Sequence, residues 1–237
     1  MNYWWVVPAA GIGQRMQADR PKQYLELAGR TLLATTLLRC HQLLPQARLV
    51  LALHPDDRWW PACRAELEQA APELDLMTTQ GGAERADSVL AALDYLQPHA
   101  AAEDWVLVHD AARPCLDAAD LKRLLQQASP IGGLLACPLA DTLKQATAQQ
   151  TVARTLDRRH LWQALTPQMF PYQALRCALQ RALAAGATLT DEASALEWSG
   201  LEPQLVIGRR DNIKITHPED LALAEFLLAQ QKDRSCE

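Results

Sequence analysis

At 237 residues with 49% hydrophobic content, the chain carries enough apolar surface for a substantial core and needs no disulfide or metal staple to fold. A formal net charge of −5 argues against a general nucleic-acid binder, which would carry a basic stripe, so any anion binding must be local. The six cysteines (Cys40, Cys63, Cys115, Cys137, Cys177 and Cys236) form no C-x-x-C pair and no zinc spacing, and read as reduced thiols. The apolar run in "MNYWWVVPAAG" is too short for a signal peptide and lacks a basic flank, and no run reaches the roughly 18 apolar residues of a membrane span. The expectation is a soluble, cytoplasmic protein with neither membrane nor nucleic acid as partner.

In chain order, short β-rich apolar runs alternate with helical periodicity. Strands are expected at "YWWVV" from Tyr3, "RLVLAL" from Arg48, "LDLMTT" from Leu74, "DWVLVH" from Asp104 and "GGLLACPL" from Gly132. Between them "TLLATTLLRCHQLL" from Thr31, "ERADSVLAALDYL" from Glu84 and "DAADLKRLLQQA" from Asp117 read as helices, so the pattern predicts a doubly wound α/β fold with a mostly parallel sheet. Residues 141–160 break the pattern, with Thr and Val content but polar residues where a core strand needs apolar ones. Two weakly amphipathic strands joined around "AQQ" make a protruding hairpin that must pack on something such as a second subunit; a flexible surface loop fits the same residues. A helix from Tyr172 ends at Gly186, "PQLVIG" from Pro203 and "NIKIT" from Asn212 read as strands, and Thr216 and Glu219 have capping-box spacing before a last helix. One domain over residues 1–237, with 141–160 as the excursion, is the expected organisation.

The opening loop "VVPAAGIGQRMQADRPKQY" lacks the third glycine of a dinucleotide fingerprint and the lysine and hydroxyl of a P-loop. What remains is a run of backbone N–H groups around Gly11 and Gly13 with two cations, Arg15 and Lys22, suited to a triphosphate whose charge grows as a bond breaks. An ordinary turn with surface cations fits the same spacing. In "GGAERADSV", Gly81, Gly82 and Ser88 can read a base edge, or form a plain strand-to-helix turn with Arg85 solvated. Asp110 ends a strand at the carboxyl edge, where open α/β sheets bind ligands, and is the first candidate for a metal; Asp211 is a weaker second. Arg113 serves a substrate pocket or a structural ion pair. Lys214, an inward lysine on an apolar strand, needs an anionic partner. His109 reads as a core imidazole rather than a catalytic one, and no G-x-S-x-G or Ser/His/Asp set supports a hydrolase. Trp4 and Trp5 read as sheet core, whereas Trp59 and Trp60 have no assigned place.

The strings "PAAGIGQRM", "PKQY", "GGAERADSV", "VLVHDAARP", "DTLK", "TLDRRHLWQALTPQ", "TDEASALE" and "DNIKIT", in this order over essentially the whole chain, resemble the sugar-phosphate and alditol-phosphate cytidylyltransferases. Within these the chain is most similar to the 2-C-methyl-D-erythritol 4-phosphate cytidylyltransferase family of the non-mevalonate isoprenoid pathway. The resemblance implies a Rossmann-like nucleotidyltransferase fold with a β-arm for dimerisation. It also implies transfer of a cytidylyl group from CTP to the alditol phosphate, with pyrophosphate released and Mg²⁺ or another divalent cation as cofactor. No general base is required, because the attacking phosphate oxygen is already anionic.

On this resemblance Arg15, Lys22, Arg158 and Lys214 carry catalysis, and Pro8, Ala9, Ala10, Gly11, Gly13, Gly81, Gly82, Ser88, Asp110 and Ala111 bind nucleotide. Arg113, Thr142, Arg158, Thr166, Thr190 and Lys214 take the acceptor, with Thr142 and Arg158 reaching a neighbouring subunit's site from the arm. Asp110 and Asp211 are the metal positions. A ribitol 5-phosphate cytidylyltransferase would use the same loops with a different acceptor pocket, and a non-catalytic nucleotide-binding regulatory domain would keep the fold without turnover. A nicotinamide-dependent oxidoreductase is disfavoured by the missing third glycine.

Overall fold

The computed structural model describes residues 1–11 and 19–234, with side chains described to Gln231. In chain order the strands are β1 (Tyr3–Pro8), β2 (Glu26–Leu27), β3 (Arg30–Thr31), β4 (Arg48–Leu53), β5 (Leu76–Gln80), β6 (Trp105–Val108), β7 (Gly133–Pro138), β8 (Leu143–Ala146), β9 (Val152–Leu156), β10 (Trp162–Pro171) and β11 (Gln204–Ile207). The helices are α1 (Leu32–Leu43), α2 (Trp60–Ala70), α3 (Arg85–Tyr95), α4 (Ala118–Gln127), α5 (Tyr172–Ala184), α6 (Glu192–Trp198) and α7 (Glu219–Arg234). Among the described residues no helix is long and apolar enough to cross a membrane.

Seven strands form the main sheet in the order β11-β7-β10-β6-β1-β4-β5. All neighbours are parallel except the two pairs made by β10, which runs against β6 and β7. Strand periodicity explains the double winding. In β1, Trp5 and Val7 face the layer that includes α1, α2 and α4, whereas Trp4 and Val6 face the layer of α3, α5 and α6. Each adjacent tryptophan is fully buried on its own side. Side-chain caps fix several helix starts: Thr31 accepts from the Ala34 N–H ahead of α1, and Asp117 from the Ala119 N–H ahead of α4.

Three expectations change. "NIKIT" joins no ladder; Ile213 and Ile215 pack with α7 in a third apolar cluster, and that contact produces the alternation that mimics a strand. Thr216 and Glu219 form no capping box: the Asp220 carboxylate accepts from the N–H groups of Thr216 (2.7 Å) and His217 (2.8 Å), because the helix opens only at Glu219. The ten-residue β10 lies where no strand was expected, its pattern obscured by Pro167 and by a register shift between Ala164 and Gln168. β8 and β9 pair with each other in a separate two-stranded antiparallel sheet, largely exposed, with the turn at the "AQQ" segment.

Candidate active site

The carboxyl ends of β1 and β6, the first turn of α3 and the segment after Arg210 converge on a cleft of about 310 Å³. Pro8, Ala9, Ala10, Gly11, Lys22, Gly82, Ser88, Asp110, Ala111 and Lys214 all line it. Gly13 and Arg15 lie outside the described residues. Gly81 sits behind the wall: a Cβ there would come 2.6 Å from the Ala10 Cβ and 2.8 Å from the Ser88 Oγ, so only glycine lets the two loops approach this closely. A Cβ on Gly82 would lie 2.3 Å from that of Asp87. Ser88 accepts from the Gly82 N–H at 3.1 Å and donates to the Glu84 carbonyl, which pins the glycine turn to α3.

Next to the cleft is a second pocket of about 230 Å³, which shares Arg85, Asp110 and Lys214 with it and adds Arg113, Thr166 and Thr190. Asp110 stands between the two. Its Oδ1 accepts from Arg85 at 3.1 Å, and its Oδ2 from Lys214 at 2.9 Å and Arg113 at 3.3 Å. Burial alone would favour the neutral acid, but Arg85, Lys214 and Arg113 outweigh it and hold the carboxyl well below the usual carboxylate range. Lys214 therefore finds its anionic partner, although from a half-exposed position off the sheet rather than from a strand interior.

Sequence reasoning left Arg85 as a solvated side chain. Instead its guanidinium bridges Asp110 and the fully buried Glu192, gripping the latter through two nitrogens at 2.6 and 3.1 Å. Burial opposes the Arg85 charge, yet Glu192 and Asp110 overcome it and raise the pKa above the ordinary arginine value. The available signal was Glu192 in the run "EASAL", a carboxylate beside the buried Ala193, Ala195 and Leu196 in the first turns of a short helix, which a core can hold only with a partner. Gln23 was also missed. Its Nε2 donates to the carbonyls of Ala9 (2.8 Å) and Gly11 (3.0 Å), holding the entrance of the opening loop, and the adjacent Lys22 Nζ donates to the Ile215 carbonyl at 2.9 Å.

Behind Asp110 a polar chain fixes the loop. The Asp110 N–H donates to Thr166 Oγ1 at 3.1 Å, Thr166 Oγ1 lies 2.9 Å from His109 Nδ1, and His109 Nε2 lies 2.9 Å from the Arg113 carbonyl. A carbonyl only accepts, so Nε2 carries the imidazole proton and Nδ1 receives the threonine hydroxyl proton. Burial pushes the His109 pKa down to about 4, which keeps the ring neutral. Arg113 Nη1 donates to the Asn212 carbonyl at 2.6 Å, and Asn212 Nδ2 to the Thr166 carbonyl at 2.7 Å, closing the circuit. The Thr166 hydroxyl proton is thus committed inside the protein, which limits its part in binding an acceptor.

Other candidates fall elsewhere. Asp211, the weaker metal candidate, lines neither pocket and is paired with Arg209 through Nε and Nη2. Thr142 and Arg158 sit exposed on the β8–β9 excursion and line neither pocket of this chain. Trp59 stacks on Tyr24 with ring centroids 6.2 Å apart and carries the Arg58 guanidinium 4.3 Å from its own centroid. With Trp60 it packs against the core at the start of α2, a structural place.

A family model described as 2-C-methyl-D-erythritol 4-phosphate cytidylyltransferase matches residues 4–230. The protein of that name from Vibrio vulnificus strain YJ016 is 51% identical over 231 residues, covering 97% of this chain and 95% of its own length. That from Chromohalobacter salexigens is 55% identical over 229 residues, covering 95% and 89%. A crystal structure of a 4-diphosphocytidyl-2C-methyl-D-erythritol synthase superposes with a TM-score of 0.80 at 36% identity, over 96% of this chain and 98% of the other. The Francisella tularensis 2-C-methyl-D-erythritol 4-phosphate cytidylyltransferase superposes at 0.78 with 32% identity, over 96% and 100%. On a match that spans nearly the whole chain, sheet and site loops included, the chain belongs to the 2-C-methyl-D-erythritol 4-phosphate cytidylyltransferase family.

Proposed function

We propose that the protein, acting as one cytidylyltransferase domain, transfers a cytidylyl group from CTP to 2-C-methyl-D-erythritol 4-phosphate, giving 4-diphosphocytidyl-2-C-methyl-D-erythritol and pyrophosphate. The observation that carries this reading is the meeting, in one glycine-lined cleft, of Lys22 and Lys214 with the Asp110 cluster and the Gly82–Ser88 turn. The Gly82 turn and Ser88 take the cytosine, and the backbone N–H groups of the opening loop take the triphosphate. The acceptor phosphate lies in the adjoining pocket beside Lys214 and Arg113, and its oxygen attacks the α-phosphorus in line as pyrophosphate leaves. That oxygen is already anionic, so no side chain has to remove a proton, consistent with a His109 that is neutral and fully engaged. Lys22, with Arg15 in the same loop, offsets the charge that grows on the leaving group, and Lys214 and Arg158 position the acceptor.

A divalent cation belongs to this reading. Mg²⁺ is commonly held by one or two carboxylates together with substrate phosphates. Asp110 lines the cleft and stays ionised, but Arg85, Arg113 and Lys214 already neutralise it and take three of its roughly four acceptor directions, so it would offer such an ion one oxygen at most and the substrate phosphates would supply the charge and most of the ligands. Among the described residues no cluster of three metal-ligating side chains exists to bind it without substrate. Bound there, the ion would neutralise phosphate charge and orient the triphosphate.

The reading includes a homodimer in which Thr142 and Arg158, exposed on the excursion and lining neither of the two adjoining pockets of their own chain, reach the acceptor site of another copy. A cytoplasmic location is supported by free thiols at Cys40, Cys63, Cys115, Cys137 and Cys177. The test is pyrophosphate release from purified protein with CTP and Mg²⁺, offering methylerythritol phosphate and ribitol 5-phosphate separately. Release with the first alone is expected. Release with ribitol 5-phosphate alone, or with neither, overturns the reading.

A further inference from the structure

A single 3-10 turn, Lys22–Tyr24, sends three consecutive side chains to three different places. Lys22 reaches the cleft, where its Nζ donates to the Ile215 carbonyl. Tyr24 is buried, stacks on Trp59 and donates its hydroxyl to Asp57 at 2.7 Å. The same carboxylate accepts from the N–H groups of Trp59 (3.1 Å) and Trp60 (3.2 Å), so the turn is bolted to the start of α2. Gln23, buried between Lys22 and Tyr24, turns toward the opening loop.

Gln23 Nε2 donates to two main-chain carbonyls, Ala9 at 2.8 Å and Gly11 at 3.0 Å. The pair fixes the amide's orientation, since an amide oxygen in the place of the nitrogen would repel both. Although Gln23 lines the cleft, its two protons are engaged with the loop, so its nitrogen acts on a ligand only through that loop. In a trans peptide the C=O and the following N–H point opposite ways. With the Ala9 carbonyl held on the Gln23 side, the Ala10 N–H faces away from it; Ala10 lines the cleft, and its N–H meets no acceptor among the described residues. A peptide attracts an anion through its N–H and repels it through its carbonyl, so which end faces the cleft decides the sign of the loop's contribution.

We propose that Gln23 is a positioning residue for the nucleotide's phosphates: by holding the carbonyls of Ala9 and Gly11 it keeps the negative ends of two peptides off the triphosphate. Because Gln23 follows Lys22 on one anchored turn, it also sets the loop at a fixed spacing from the cation that offsets the growing charge. The proposal rests on the reading of the cleft as a CTP site.

The test compares a ligand that has phosphates with one that lacks them. Dissociation constants are measured for CTP with Mg²⁺ by calorimetry and for cytidine by NMR titration, on the parent, Gln23→Met and Gln23→Asn. Methionine keeps the volume and removes both donors. The expected result is CTP binding about tenfold weaker in Gln23→Met with cytidine weaker by less than about twofold, since a released loop loses its hold on phosphate and not on the base. Gln23→Asn, whose shorter amide cannot span both carbonyls, shifts CTP in the same direction by a smaller factor and keeps the test alive if the methionine variant does not fold. Equal losses for the two ligands would reduce Gln23 to a structural residue, and unchanged CTP affinity in either folded variant would overturn its role outright. A parent that does not bind CTP overturns the reading of the cleft and this proposal with it, whereas a parent that binds CTP without turnover overturns only the assigned activity.

Discussion

Thr166 and His109, 57 residues apart in sequence, share one hydrogen bond of 2.9 Å behind the candidate site, and the same threonine oxygen holds the Asp110 N–H. Thr166→Val keeps the shape but strands a buried donor and a buried acceptor. A loss of about 3 kcal/mol is expected by urea denaturation, with Thr166→Ser retaining most of the stability. kcat/KM should fall with the valine variant as Asp110 loses its seat. A valine variant within about 0.5 kcal/mol of the parent would show that the chain of bonds carries no weight.

The neutral His109 sets an acid limit. Its pKa is about 4 in the folded chain against an ordinary value near 6.5, so the unfolded state binds the proton more readily over that interval. The contribution is fully present above pH 6.5 and is lost as pH falls through about 4, amounting to about 3 kcal/mol over the window. Asp110, with its depressed pKa, adds a further loss at still lower pH. Unfolding free energies measured from pH 7 to 4.5 should slope downward, and His109→Gln should flatten the slope. An unchanged slope would remove His109 from this role.

Arg85 stands between two carboxylates, one of them fully buried, so its loss leaves charge stranded. Arg85→Met is expected to cost about 3 kcal/mol, whereas Glu192→Gln, which preserves a bonding partner, costs about 1 kcal/mol. The denaturation midpoints of the two variants give the ranking directly. The reverse order would mean that the bridge is incidental.

Lys22→Ala should lower kcat on the order of 100-fold and raise KM for CTP by less than about fivefold, as expected for a charge used mainly in the transition state. Steady-state kinetics at saturating acceptor separate the two terms. Equal losses in both would make Lys22 a nucleotide binder only.

If the arm completes a neighbour's site, Arg158→Ala and Lys22→Ala subunits complement each other. A verified heterodimer of the two should recover up to about half of the parent activity, since one of its two sites is intact. No recovery would confine each site to a single chain.

Much of the fold was legible because local pattern and tertiary role agree. "RLVLAL" is β4 residue for residue, and Thr31, Glu84 and Asp117 stand at the N-terminal boundaries of α1, α3 and α4. β10 was hidden because a proline and two glutamines interrupt it, and Gln168 is tolerated in the core only through long-range bonds to Asp191 and the Ala193 N–H. Of the site residues in the recognised strings, those described gather in two adjoining pockets, with Gly81 behind the wall and Asp211 and the arm residues apart, while Gly13 and Arg15 lie outside the described residues. The Arg85–Glu192 pair spans 107 positions, and nothing in the local sequence around either residue points to the other.

The reversed direction of β10 has one more consequence. Pro138 at the end of β7 and Trp162 at the start of β10 are register partners, and the Leu139 N–H continues the ladder to the Leu161 carbonyl at 3.1 Å. The excursion therefore leaves and re-enters the sheet through one narrow doorway, whose two posts are already bonded to each other. Its length and sequence can drift without disturbing a single core strand, and a short hairpin turn could replace it outright. The main sheet is a fixed chassis, and the hairpin is an exchangeable attachment mounted at the edge where the nucleotide cleft opens.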